Sequence, residues 1–205
     1  IAKGAGLSMG SVYKHIQSKE DLLVALAAQL STQILHVFKT ILELPFSAAA
    51  KLVSLQMLNP SALYSQEFAS QLFILVANAP VLNRVSPRWR HELMQADEQI
   101  SGLFVHMLKT AIVQQQLLCD DDLAEALIEE IIIGHWSMNV GFIQVVQQQQ
   151  AYEKSKDKCL PFPLAITHPI VQSSLKLVNA YPWAQPVTET ELNALSKKLD
   201  QLGYL

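Results

Sequence analysis

From Leu22 onward the apolar residues Leu26, Leu30, Ile34, Phe38 and Ile41 recur every three or four positions. Only an α-helix gathers such a spacing onto one side. The stretch has a start signal in Ser18 and Asp21, a capping box in which each side chain satisfies a free backbone N–H of the other residue. It has a stop signal in Pro45, which cannot continue a helix. One long helix over 19–43 follows. No segment alternates convincingly at a period of two, so the whole chain is predicted all-α. Ser47 opens a helix over about 48–58, interrupted at Asn59-Pro60, and another follows at about 61–78. Pro80 and Pro87 bracket a connector. Ser86-Pro87 then starts a helix over about 87–117 with the stripe Trp89, Leu93, Ala96, Ile100, Phe104, Met107 and Ala111. Further helices are predicted at about 121–150, at 169–181 from a start at Thr167 and Pro169, and from a second capping box, Thr188 with Glu191, to Gly203. Residues 151–167 read as a surface loop.

A chain of 205 residues can bury roughly 70% of its unfolded surface and needs no staple. Half of its residues are hydrophobic and only 16% are charged. That balance implies apolar surface held back for a partner subunit or a hydrophobic ligand. Residues 131–152 carry the feature furthest, with no Asp, Glu, Lys or Arg. His135, Ser137, Asn139, Gln144 and the glutamines at 147–150 make the run too polar for a membrane span, which wants about 20 mainly apolar residues. It reads as a helix packed on its own core and on a partner, and no membrane is expected. The acids at 120–122 suit the positive end of that helix.

The net charge of −3 offers no global attraction to nucleic acid. It hides a local excess, because residues 1–19 hold Lys3, Lys14 and Lys19 and no acid. Cys119 and Cys159 form no motif and read as free thiols of a reducing compartment. No export signal opens the sequence, so a cytoplasmic location is expected. The histidines lack metal-ligand spacing, and there is no nucleophile elbow or glycine-rich phosphate loop. No metal, cofactor or enzymatic activity is expected.

The first residues, IAKGAGLSMGSVYKHIQSKEDLL, bear the chemistry. Gly6 accepts a left-handed turn, Leu7 plugs a core, and Ser8 caps a short helix over about 9–15. Helix, tight turn and short helix make a helix-turn-helix, whose second helix enters a major groove. Val12 and Ile16 face inward, leaving Met9, Ser11, Lys14 and His15 outside. Lys14 and Lys19 supply cations, and Tyr13 a hydroxyl for phosphate.

This stretch closely resembles the end of the TetR-family DNA-binding domain, of pattern I-A-x-x-A-G-V-S-x-G-T-[LV]-Y-x-[HY]-F-x-S-K-E-x-L. Ile1, Ala2, Ala5, Gly6, Ser8, Gly10, Val12, Tyr13, His15, Ser18, Lys19, Glu20 and Leu22 fit it, while Ile16 replaces an aromatic. The resemblance implies that Ser11 and Lys14 reach base edges and that Met9 can touch a thymine methyl. It implies that Gly10 permits close approach, and that Tyr13, His15 and Lys19 hold phosphates. The family's first helix and most of its second are expected upstream of residue 1, with further cations.

It further implies two parts, residues 1–43 as the remnant of the DNA-reading domain with its connecting helix, and 44–205 as a helical ligand-binding and dimerisation domain. The expected protein is a homodimer on a palindromic duplex operator, a repressor released by a small hydrophobic effector. The helices at 121–150 and 169–181 are expected to pair with their copies. The effector is expected between the helices at 61–78, 87–117 and 121–150, against Phe68, Trp89, Phe104, Met107, Trp136 and Phe142. His106, His135 and Asn139 would orient it. The alternative is an all-α small-molecule-binding or enzymatic protein with a chance helix-turn-helix match.

Overall fold

Ser18 is extended, and its hydroxyl accepts the Asp21 backbone N–H at 2.9 Å. This starts α1, Lys19–Leu42. The computed structural model describes Gly6, Gly10 and residues 14–63, 69–152 and 162–205. After α1 come α2 (Ala48–Ser54) with a 3-10 turn at Leu55–Met57, α3 (Pro60–Leu63), α4 (Ala69–Val76) and α5 (Ala79–Leu82). Then follow α6 (Pro87–Val113), α7 (Ala124–Tyr152), α8 (Pro169–Asn179) and α9 (Glu189–Gln201). The fold is all-α. Among the described residues the β geometry is a single antiparallel bridge between Leu117 and Trp183.

Several boundaries differ from the sequence expectation for local reasons. Pro80 sits in the first turn of α5 instead of opening a connector, because a first turn needs no proline N–H. α6 stops at Val113, since Gln115 adopts a left-handed φ of 56° that an α-helix cannot continue. His168, not Thr167, caps α8, its ring Nδ1 accepting the Ile170 N–H at 3.3 Å. The helix predicted over 61–78 is seen as α3 and α4, with 64–68 outside the described residues. Within the predicted loop at 151–167, residues 153–161, including Cys159, also lie outside them.

α1 crosses two cores. Its first half places Val24, Ala27 and Leu30 against Ala69, Leu72, Val76, Val85 and Leu93. Its second half places Val37 and Ile41 in a larger core with α2, Phe104 and Leu108 of α6, Ile128 and Ile131 of α7, Val171 and Val178 of α8, and Leu192, Leu195 and Leu199 of α9. Packing therefore continues across residue 43, where the two parts were expected to divide. α1 is long and apolar enough, by length and composition alone, to cross a membrane. In this fold its apolar face supplies both cores.

Both predicted capping boxes form by half. Ser18 and Thr188 accept the backbone N–H groups of Asp21 and Glu191, at 2.9 and 3.2 Å. The reciprocal bonds, from the backbone N–H of Ser18 to Asp21 and of Thr188 to Glu191, do not form, and Asp21 takes the Gln17 N–H instead. Asp21 accepts the N–H of Ser86, the residue before α6, and Glu191 that of Ser47, the residue before α2. Each acid thus ties the start of its own helix to the start of a distant one.

Candidate functional site

Gly6 has a φ of 66°, the left-handed turn the helix-turn-helix reading requires, and Gly10 is helical and exposed. Ser8, Met9, Ser11 and Tyr13 lie outside the described residues. Lys14 and His15 are exposed in the turn before α1, and Lys19 is exposed in its first turn. These three side chains share one end of the molecule.

That end is fastened to the start of α6 by polar bonds. Asp21, 1% exposed, accepts the Gln17 N–H at 2.9 Å on one carboxylate oxygen and the Ser86 N–H at 2.7 Å on the other. The Trp89 indole N–H donates to the His15 carbonyl at 2.8 Å. The Arg88 guanidinium lies 3.4 Å from His15 Nδ1 and 4.7 Å from the centre of the Trp89 ring. Arg84 pairs with Glu20 at 3.5 Å. Burial by itself raises the pKa of Asp21, but the N–H groups of Ser86 and Gln17 and the hydroxyls of Ser86 and Ser18 outweigh it and hold the carboxyl below its ordinary value. Asp21 is an ionised, fully engaged joint.

A concavity of about 450 Å³ opens beside this joint. Leu22, Leu26 and Gln29 of α1 and Trp89, Gln95 and Ala96 of α6 line it. Trp89 therefore belongs to a groove between α1 and α6, and not to an interior pocket against α7.

The other residues expected around an effector divide by burial. Phe104 and Met107 are in the main core, and Phe104 meets Phe38 edge to face with ring centres 5.4 Å apart. Phe142 is half-buried against His168 at 5.9 Å, and Asn139 is half-buried. His106 is exposed because α6 buries Phe104, Met107, Leu108 and Ala111, which turns residue 106 outward. Trp136 is 63% exposed. Neither lines an interior pocket of a single subunit. Phe68 lies outside the described residues.

His135 alone among the three proposed orienting groups is fully interior, at 3% exposure. Neither ring nitrogen meets a hydrogen-bond partner among the described residues. Burial pushes its pKa down to about 4, so the ring is neutral near pH 7. Among the described residues no group of three His, Cys, Asp or Glu is placed to hold a metal. The acids at 120–122, 125, 129 and 130 form an exposed face.

Comparison with known protein families, with curated proteins and with solved structures finds no match. The resemblance of residues 1–23 thus stands on those residues alone. Sequence reasoning missed the roles of Asp21, Arg84 and Arg88 at the joint. The clustering of arginine at 84–90 was the signal available for two of them.

The His135 environment sets a pH dependence. Its folded pKa of about 4 lies below the unfolded value of about 6.5, so in that window the unfolded chain holds a proton the folded one lacks. Stability therefore falls as pH drops from about 6.5 toward 4, by up to about 3 kcal/mol. Urea unfolding at several pH values should show His135→Leu without this part of the slope. An unchanged slope would place the titrating group elsewhere.

Proposed function

We propose that the chain is a DNA-binding transcriptional regulator that works as a homodimer, a repressor released by a small hydrophobic molecule. The observation that carries the reading is the match of residues 1–23 to the TetR-family pattern. The left-handed Gly6, the helical Gly10 and the Ser18-capped α1 agree with that pattern where it can be compared. The exposed Lys14, His15 and Lys19 at one end suit a phosphate backbone.

Dimerisation is supported by α7. Ile133, Trp136 and Val140 follow one face of that helix and are 50%, 63% and 39% exposed. Opposite them Ile128, Ile131 and His135 enter the core. Large exposed apolar side chains on a charge-free face mark an interaction surface. α8 contributes differently, since its outer face carries Ser173, Lys176 and Asn179. One recognition helix makes too few base contacts for specificity. Two, related by a dimer axis, read a near-palindromic site. For the effector, neutral His135 offers one donor and one acceptor in apolar surroundings, which suits orienting a mostly apolar molecule.

Selection from a pool of random duplexes tests the reading. The full-length protein should enrich an inverted repeat with half-sites about one helical turn apart or a small multiple of it. No enrichment, or enrichment without symmetry, would sink it. In sedimentation the unmodified protein should run as a dimer at micromolar concentration. Val140→Glu should run as a monomer or aggregate, because a charge in an obligate interface of about 2,000 Å² or more is left unpaired.

A further inference from the structure

All three arginines of the chain, Arg84, Arg88 and Arg90, lie in the stretch 84–91, which contains no acid. Arg88 and Arg90 occupy the first turn of α6, and that turn carries no Asp or Glu. Cations at this end oppose the helix dipole, so helix stability does not account for them. Arg90 has a structural task, donating to the Leu82 carbonyl at 2.5 Å and closing the end of α5. Arg84 and Arg88 take part in the joint, Arg84 through Glu20 and Arg88 through His15 and the face of Trp89, but by contacts that leave both guanidinium groups open to solvent. Their side chains are 74% and 58% exposed, and their carboxylate partners, Glu20 at 3.5 Å and Glu92 at 3.1 Å, form solvent-facing pairs. Pairs of this kind contribute little to stability.

Their placement does point to a task. Arg88 touches His15, and Arg84 touches Glu20, the neighbour of Lys19. The joint through Asp21 and Trp89 thus brings two arginines, one on α6 and one just before it, to the end of the molecule that carries Lys14, His15 and Lys19.

We propose that Arg84 and Arg88 form a second phosphate-binding site for duplex DNA, contributed by the start of α6 from outside the helix-turn-helix. The planar guanidinium fork matches two phosphate oxygens, which a lysine can only meet as a point charge. In the bound state Arg84 leaves Glu20 and Arg88 leaves Glu92 for the phosphates. This inference rests on the DNA-binding reading and adds to it a grip that senses the position of α6.

The test titrates salt against binding of the full-length protein to a fluorescein-labelled random-sequence duplex. Each phosphate that is no longer neutralised lowers the slope of log affinity on log salt by about 0.9. Arg84→Gln/Arg88→Gln should therefore reduce it by roughly 2 per subunit, and Arg84→Lys/Arg88→Lys should restore most of that slope. Lys197→Gln/Lys198→Gln on α9 removes the same charge elsewhere and should leave the slope unchanged. If the unmodified protein binds and the glutamine pair keeps its slope, the arginines do not touch DNA and this inference falls while the DNA-binding reading stands. If the α9 control lowers the slope equally, net charge is the cause and the inference again falls. If the unmodified protein shows no binding at low salt, both are overturned. All the substituted side chains are exposed, and matched thermal unfolding verifies that each variant is folded.

Discussion

Among the described residues two charged side chains are buried, Asp21 and Lys51, and they stand at opposite ends of α1. Asp21 lies at the positive end of the helix dipole. Lys51 donates to the carbonyl of Leu42 at the negative end, at 2.8 Å. A buried carboxylate without partners would cost several kcal/mol. Asp21 avoids this by accepting N–H groups from both sides of a structural boundary, Gln17 before α1 and Ser86 before α6. Everything at the N-terminal end hangs on that arrangement. The Trp89 bond to His15, the approach of Arg88 to the same residue and the groove between α1 and α6 all require α6 to begin where Asp21 holds it.

If the chain acts as proposed, the joint is of a suitable strength to take part in control. A tenfold change in DNA affinity corresponds to about 1.4 kcal/mol, and one hydrogen bond to a charged group is worth about 1.5–3 kcal/mol. Under the proposed function, a ligand that shifted α6 far enough to lengthen the Ser86 bond would have to supply free energy of that order, the same order as the change in DNA affinity. α1 passes from that joint into the main core, where α7 and the neutral His135 lie. A change there has a continuous helix along which to act.

Much of this was legible in the chain, and the parts that were not share a cause. The caps at Ser18 and Thr188 were readable because a cap depends on residues three apart. The destinations of Asp21 and Glu191 were not, since a carboxylate at that position can turn back or reach outward with the same local spacing. The stripe Leu22, Leu26, Leu30, Ile34, Phe38 and Ile41 located α1 and part of its buried face, since Leu30, Ile34 and Ile41 are buried. Val24 and Ala27 enter the core, while Leu22 and Leu26 edge the groove. A helix crossing two cores meets neighbours on more than one side, and a single stripe cannot express that. His106 and His135 look alike as histidines in apolar stretches. Only the first stands off the buried positions of its helix, 104, 107, 108 and 111, a distinction the spacing could have shown.

The most direct measurement follows Asp21 itself by NMR through an acid titration, with its carboxyl carbon and the amide protons of Gln17 and Ser86 observed together. If one ionised carboxylate joins the two helix starts, all three signals move with a single inflection, below the ordinary carboxylate value. Amides that titrate at unrelated pH values, or an Asp21 that titrates at or above its ordinary value, would contradict the joint on which the rest depends.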